Sequence, residues 1–558
     1  LNLLQLQKEK IMKKLSRLII YLFLFNACAA LVSAQSDLLT VAEKSSYTAT
    51  SRYADVMDFI LTLQQESEFI RIETICTSPE GRDVPLMIIG NPLPVSPRDL
   101  YGDDRLVVYI QANIHAGEVE GKEASLMLAR DILKQDPLPY LDDLILLICP
   151  IFNADGNEKI SPDNRRNQTG PEKGVGIRYN GQNLDLNRDS MKMESPELQG
   201  LIQNVLMRWN PSLLVDCHTT NGSYHEEPVT YSWPLNPNGS RSILEYMREN
   251  MMPEMTRHLK EKYDTLAIPY GNFMDYRDME KGWRTFGHSP RYVTNYIGLR
   301  NRMSILIENY AHADYKTRVM GNYHYLLTIL DYCRGHKDEM ADLIKKSDRE
   351  TIQAGNHPDK KTGFAVEFDV RPLKQPLTIL SWEMEITPRE NQWPRVEKTD
   401  HKKTYTLPYY ADFFGVREVA YPFAYAIPVP VPEVIEKCRQ HGIIVEKLER
   451  EICIEVEGFN VTALKPADRL YQGHYLNSVE GDYFSETKTF SKGTWIIRTA
   501  QSLGRLAAYL LEPESDDGLL VWNFFDHRLA SQWRRGPEVY PVYKILEPIA
   551  LPTVKIKK

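Results

Sequence analysis

Cysteine is scarce: the chain has seven in 558 residues, widely spaced and with no CxxC pair. No disulfide framework is expected, although an oxidising compartment would permit a bridge. Internal repeats and low-complexity tracts are missing, and only one stretch is strongly apolar, so a polytopic membrane protein is excluded. Positive charge is not in excess either. With 67 Lys+Arg against 75 Asp+Glu the net charge is −8, which argues against a nucleic-acid surface. What remains is ordinary globular composition: 42% hydrophobic and 25% charged residues, with a mean hydropathy of −0.40. Collagen-like, disordered and coiled-coil readings fail on those proportions. The length supports a substantial core and about two to four domains.

The one apolar stretch lies at the N-terminus. Met12, Lys13, Lys14 and Arg17 precede a run over 18–32 that ends in Val32-Ser33-Ala34. A basic start, a short apolar centre and small residues at the end are the marks of a secretory signal peptide. The run is short for a bilayer span and is interrupted by Asn26, and Cys28 is a poor lipidation site. The expectation is therefore export, to a periplasm or the extracellular medium, with residues 1–11 an upstream extension. An uncleaved anchor is the alternative. The leader of 34 residues carries Lys8, Lys10, Lys13, Lys14 and Arg17 against Glu9, so its removal takes the chain from −8 to −12.

Residues from about 45 to 335 alternate between continuous apolar runs and helical patterns. Strands are expected at 105–112, 143–151, 213–217 and 303–307, and helices at 120–133, 197–209 and 315–332, with another around Met247, Met251, Met255 and Leu259. Continuous apolar strands separated by helices predict an α/β domain with a mainly parallel sheet covered on both faces. A polar, charged stretch at 346–362 reads as a linker. Beyond it GFAVEFDV, LTILSWEMEI and ICIEVEGF alternate as half-exposed antiparallel strands do, with helices at 433–439 and 500–511. This predicts a second, α+β or β-rich domain over 363–558. Its apolar segments 493–497 and 520–525 read as core.

The chemistry gathers where predicted strands end. Strand 105–112 runs into Asn113-Ile114-His115-Ala116-Gly117-Glu118, and strand 213–217 runs into His218. Ligands of open α/β sheets bind beyond the carboxyl ends of the strands, so residues distant in sequence can converge there. Two imidazoles and one carboxylate form a ligand set for catalytic zinc, with a fourth position left for water. Singly, HxxE or a lone His218 is weak; Cys217 points to the opposite face and packs. Asn153-Ala154-Asp155-Gly156 and the run from Asn183 to Asp189 (NLDLNRD) add two further motifs in the same region.

In this combination the chain resembles the carboxypeptidase A family of zinc peptidases, the funnelins. The motifs that carry the resemblance are HAGE, NADG, DNRRN, LDLNR, DCH and LIE, in that order. It implies a catalytic unit over 35–345 with a mixed, mainly parallel sheet flanked by helices, holding one zinc ion on His115, Glu118 and His218. It further implies that Asp185 holds the distal nitrogen of His115, that Glu308 is the general base, and that Asn187 and Arg188 bind the free carboxylate of a peptide. Arg165 would stabilise the oxyanion, with Arg166 as its rival and a further substrate contact. The segment before Glu308 departs from the family pattern. Tyr292 is the preferred substrate-capping tyrosine, with His288 and Tyr296 as rivals.

The implied function is an exported zinc carboxypeptidase acting on a peptide or protein with a free C-terminus. No nucleic acid is implied, and membrane contact only through the leader. A zinc amidohydrolase of cell-wall peptides and a non-catalytic peptide- or glycan-binding protein on the same scaffold are the alternatives. Residues 363–558 are expected to pack on the catalytic unit and wall part of its cleft.

Overall fold

The computed structural model describes residues 38–220, 222–358, 363–389, 395–529 and 538–556. The expected leader, residues 1–34, lies outside the described residues. Among those described, no helix is long and apolar enough to cross a membrane.

Strands appear in chain order as β1 (Ile70–Thr77), β2 (Asp83–Ile89), β3 (Leu106–Ala112), β4 (Leu144–Cys149), β5 (Leu213–Thr220), β6 (Val229–Ser232), β7 (Ala267–Pro269), the short β8 (Asn272–Phe273) and β9 (Trp283–Arg284), then β10 (Met303–Tyr310). Eight of them form one sheet in the order β1-β2-β4-β3-β5-β10-β6-β7. The centre, β4-β3-β5-β10, is parallel, whereas β2, β1 and β6 run antiparallel to their inner neighbours. Every residue of β3, β4 and β5 is buried, which accounts for their continuous apolar runs. Helices Glu120–Leu133, Met252–Tyr263 and Tyr315–Gly335 pack together on one face, and Val293–Leu299 lies against β5 and β10.

Most of the expected linker is helix, and its residues 359–362 lie outside the described residues. Residues 346–356 are the second half of an α-helix, Lys337–Asn356, which buries Met340, Ile344, Ser347, Thr351 and Gly355. That three-and-four spacing is an inward stripe; the lysines and acids that suggest a linker are its solvent face. Nor does a separate body follow, because residues 40–558 form one compact unit. Strands β11 (Gly363–Pro372), β12 (Leu377–Thr387), β13 (Arg395–Leu407) and β14 (Tyr409–Ala420) come next. β14 pairs with β11 on one side and with β9 on the other, so a single sheet, β11-β14-β9-β8, joins the two regions. Asn238 reinforces the join: its amide donates to Ala365 O at 2.9 Å and accepts from Ala365 N at 2.9 Å. The remaining strands, from β15 (Ala424–Ile427) to β22 (Thr553–Lys555), build a mostly antiparallel sheet. Its core includes Phe423, Val456, Phe490, Ile496 and Ile545. The six cysteines among the described residues are all free.

Gly355 tests the close seam between the helix Lys337–Asn356 and the C-terminal region. A Cβ there would lie 2.3 Å from both Thr499 C and Ala500 N. Gly→Ala within an exposed helix stabilises by roughly 0.5–1 kcal/mol. Here backbone has to move, so Gly355→Ala is expected to destabilise by about 1–3 kcal/mol, the range for overpacking, read as a lower midpoint in urea unfolding.

Candidate active site

β3, β5 and β10 are neighbours at the centre of the sheet, and each delivers one part of the site. β3 ends in Asn113, whose left-handed backbone (φ 65°) starts a tight turn; asparagine tolerates that region better than most residues. The Asn113 amide then donates to Ala116 O and Glu118 O, both at 3.2 Å, and Glu118 N donates to His115 O at 2.9 Å. The turn thus presents His115 and Glu118 on the same side. Within it, Gly117 leaves room for the loop that carries Arg165, since a Cβ would sit 2.5 Å from Arg165 Cδ and 2.9 Å from Gly176 O. β5 supplies Asp216 and His218, two apart and so on one face of the strand. Glu308 stands opposite His218 in the parallel register of β10 and β5.

Three donor atoms converge. His218 Nδ1 lies 3.2 Å from His115 Nδ1 and 2.8 Å from Glu118 Oε2, and His115 Nδ1 lies 3.1 Å from Glu118 Oε1. The outer nitrogens face carboxylates: His115 Nε2 is 3.1 Å from Asp185 Oδ1, and His218 Nε2 is 2.8 Å from Asp216 Oδ2. A carboxylate only accepts, so each outer nitrogen carries a hydrogen, and an inner nitrogen facing Glu118 either carries a proton too or presents a lone pair to a cation. Stripped of those protons, such a grouping repels itself unless a cation fills its centre. His115, Glu118 and His218 are also the one group among the described residues whose side chains could hold a metal, with ligand atoms within 4.8 Å of one another. Buried nitrogen and oxygen donors of this kind, with carboxylates behind the imidazoles, fit zinc.

The surrounding charges are consistent with that fit. Burial would raise the pKa of Glu118, but His115 and Arg165 outweigh it and hold the carboxylate well below its usual range. Burial would likewise raise Asp185, which His115, Arg188 and Arg178 hold low. Burial would depress His218; Asp216 and Glu118 raise it instead, well above the ordinary imidazole value. Glu308 behaves differently. Loss of water pushes its carboxyl up to about 8, with Glu118 adding to the rise and His218 and the arginines opposing it.

Arg165, on a strained left-handed backbone (φ 53°), donates to Glu118 Oε1 at 2.8 Å, Thr219 O at 2.9 Å and Gln168 Oε1 at 2.9 Å. Arg166 is not brought to the site. Its side chain is 78% exposed and pairs with Asp163 at 3.2 Å, because adjacent residues of the loop point apart. Arg188 lies over the Tyr292 ring at 4.4 Å and donates to Asn187 O at 2.6 Å. Asn187 Oδ1 accepts from Val293 N at 2.9 Å, and Asn187 Nδ2 is 3.5 Å from His218 Nε2. Of the rival capping residues, Tyr296 is buried with its hydroxyl 2.8 Å from His441 Nδ1, and His288 pairs with Asp516 at 3.0 Å. Tyr292 alone of the three stands beside Arg188.

Two residues that the sequence motifs do not single out belong here. Asp216 is legible in DCH, since a two-residue spacing on a strand shares a face. Arg178 is not. It donates from Nε to Asp185 Oδ2 at 2.7 Å, reaches 3.8 Å from Glu118 Oε1 and is 33% exposed, a placement that depends on the loop 156–183 folding back. The NADG motif is scaffold: Asn153 Nδ2 donates to Ile114 O at 3.4 Å and to Arg178 O at 3.2 Å, and Asp155 pairs with Arg82 at 2.7 Å.

Residues 56–227 match the family model described as zinc carboxypeptidase. Over this stretch the chain is similar to the zinc carboxypeptidases. The chain is 20% identical to carboxypeptidase 2 of Trichophyton rubrum over 492 residues, covering 84% of this chain and 81% of that protein. Identity is 21% over the same spans with carboxypeptidase 2 of Trichophyton equinum. Among solved structures, carboxypeptidase A from Helicoverpa armigera is similar at a TM-score of 0.39 and 14% identity, over 57% of this chain and 80% of that one. A metallo-carboxypeptidase from Pseudomonas aeruginosa gives 0.37 and 16%, over 52% and 69%.

Asp216→Asn is expected to weaken the site's zinc affinity by about 10–100-fold, the usual effect of losing a carboxylate behind a ligating imidazole, whereas Arg166→Ala leaves it unchanged. Competition with a chromophoric chelator measures both. Zinc entry displaces the His218 proton, so affinity falls and proton release rises as the pH is lowered through that titration.

Proposed function

We propose that the protein is an exported carboxypeptidase that hydrolyses the C-terminal peptide bond of a peptide, with zinc held by His115, Glu118 and His218 and Glu308 as general base. The observation that carries this reading is the convergence of three buried donor atoms one strand away from a carboxyl group with a raised pKa. Zinc, when bound, supplies a Lewis acid that acidifies water and polarises a carbonyl.

The chain's own groups do the rest. Asp185 and Asp216 keep the two imidazoles in the tautomer that offers Nδ1 inward. Glu308 accepts the proton of the attacking water at a carboxylate oxygen and later delivers it to the leaving amine. Its high pKa makes it a stronger base than an ordinary glutamate and a competent acid near neutrality. Arg165 and Arg178 flank Glu118 and meet the charge that grows on the carbonyl oxygen. That charge is larger in the transition state than in the substrate, so their help is selective for it. Arg188 pairs with the terminal carboxylate, the Asn187 amide adds a donor, and Tyr292 covers the bound residue.

The N-terminal sequence supports export, and N-terminal sequencing of protein recovered outside the cytoplasm tests cleavage near residue 34. For the activity, N-blocked peptides ending in Phe, Arg or Glu are compared with their amidated twins. Cleavage confined to the free acids is expected; equal cleavage of both overturns the carboxypeptidase reading. Glu308→Gln should retain zinc and lose activity by about 10²–10⁴-fold, the usual contribution of a general base. In the parent enzyme kcat/KM should fall as pH drops, because protonated Glu308 cannot accept a proton. The midpoint of that limb is expected above the ordinary glutamate value of 4.5.

A further inference from the structure

The carboxylate-binding arm of the site is assembled from two loops, and both are held by residues far down the chain. One loop carries Asp185, Asn187 and Arg188. At its start Asp185 N donates to Gln472 Oε1 at 2.8 Å. Gln472 reaches there from the turn Tyr471–His474, on a left-handed backbone (φ 52°), with Tyr471 and His474 bridged across it. At the far end of the loop, Glu194 lies 2.9 Å from His474 Nε2, and Met191 O lies 3.0 Å from His441 Nε2.

The other loop carries Tyr292. The residue before it, Arg291, is fixed at both backbone and side chain by the fully buried Asp517: its N–H donates to Oδ2 at 2.7 Å and its Nη2 lies 3.0 Å from Oδ1. Ser289 Oγ also donates to Asp517, as does Trp522 Nε1 at 2.8 Å. The Arg291 guanidinium sits 5.4 Å from the Tyr471 ring and 5.1 Å from that of Trp522. One cluster of C-terminal groups, Tyr471, Gln472, Asp517 and Trp522, therefore touches both loops. Between them, Arg188 and Tyr292 meet face to ring at 4.4 Å.

We propose that Gln472 and Asp517 are positioning residues for the carboxylate subsite, setting Arg188 against Tyr292, so that the C-terminal region is part of the substrate-binding apparatus. Neither touches substrate in this role. Each fixes the residue next to, or a few positions from, one that does. Subsite geometry is sensitive to small errors, since displacements of about 1 Å at a positioning group suffice to cost large factors in rate or affinity. Gln472 holds the backbone of Asp185 and not the carboxylate that faces His115, and Asp517 holds the Tyr292 loop alone, so recognition of the carboxylate can be perturbed apart from zinc binding.

The inference rests on the carboxypeptidase reading and is tested on the full zinc-loaded chain. Gln472→Met keeps the side chain's length and removes its acceptor. It is expected to raise KM for the preferred peptide acid, and the Ki of the amino acid it releases, together by about fivefold, the loss of one hydrogen bond. Asp517→Asn keeps the volume and removes the charge, and the same two constants are expected to rise by about ten- to hundredfold. In both variants kcat and zinc content stay at wild-type levels. A merely structural role would lower the unfolding temperature without moving KM or Ki below it. Unchanged KM and Ki in a folded, zinc-loaded Gln472→Met protein overturn the proposal; if that variant does not fold, unchanged constants in Asp517→Asn overturn it independently. A wild-type enzyme indifferent to amidation removes the reading itself, and this inference with it, before any variant is compared.

Discussion

Glu118 is a carboxylate taken out of water and placed between two imidazoles and a guanidinium. Desolvating such an ion costs several kcal/mol unless compensating charges are fixed around it. The arrangement at this end of the sheet follows from that compensation. Arg165 neutralises one oxygen, His115 and His218 bracket the pair, and Asp185 and Asp216 stand behind the rings so that both inner nitrogens point at the same centre. Asp185 in turn needs a partner of its own and finds it in Arg178. Each buried charge calls for another, and the outermost members of the network, Arg178 and Arg188, are the ones left partly exposed.

The network is anchored at the ends of three adjacent parallel strands, with Asp216, His218 and Glu308 on β5 and β10 themselves and His115 and Glu118 in the turn that follows β3. Register decides it: Glu308 lies beside His218 because β10 and β5 pair residue for residue over their whole length. A slip of one residue would turn every inward group to the opposite face. The continuous apolar character of β3, β4 and β5 protects that register, since each of these strands is buried on both sides.

Much of this is legible in the sequence. Strand ends followed by His, Glu or Asn point to the metal-binding cluster, and a parallel sheet is readable from apolar runs separated by helical periodicity. Asp216 can be added from its spacing to His218 alone. Arg178 cannot, because its contact with Asp185 depends on the path of an irregular loop. The second half of the chain reads as a separate body, wrongly, for a related reason. The lysine-rich stretch around 346 looks like a linker in one dimension, whereas its apolar residues fall on a single helical stripe. The pairing of β14 with β9 joins residues about 125 positions apart, and no local pattern in the two-residue partner announces it. Sequence alone does not separate Tyr292 from His288 and Tyr296 for the same cause: His441 and Asp516 claim Tyr296 and His288, which leaves Tyr292 to meet Arg188.

The interlocking of the two regions also bears on the order in which the molecule becomes competent. During synthesis the histidines, Glu118 and Glu308 emerge together with the sheet that carries them, but the turn at 471–474 and the buried Asp517 follow well over a hundred residues later. A nascent chain thus holds its metal-binding residues well before it holds the groups that anchor the loops of Arg188 and Tyr292.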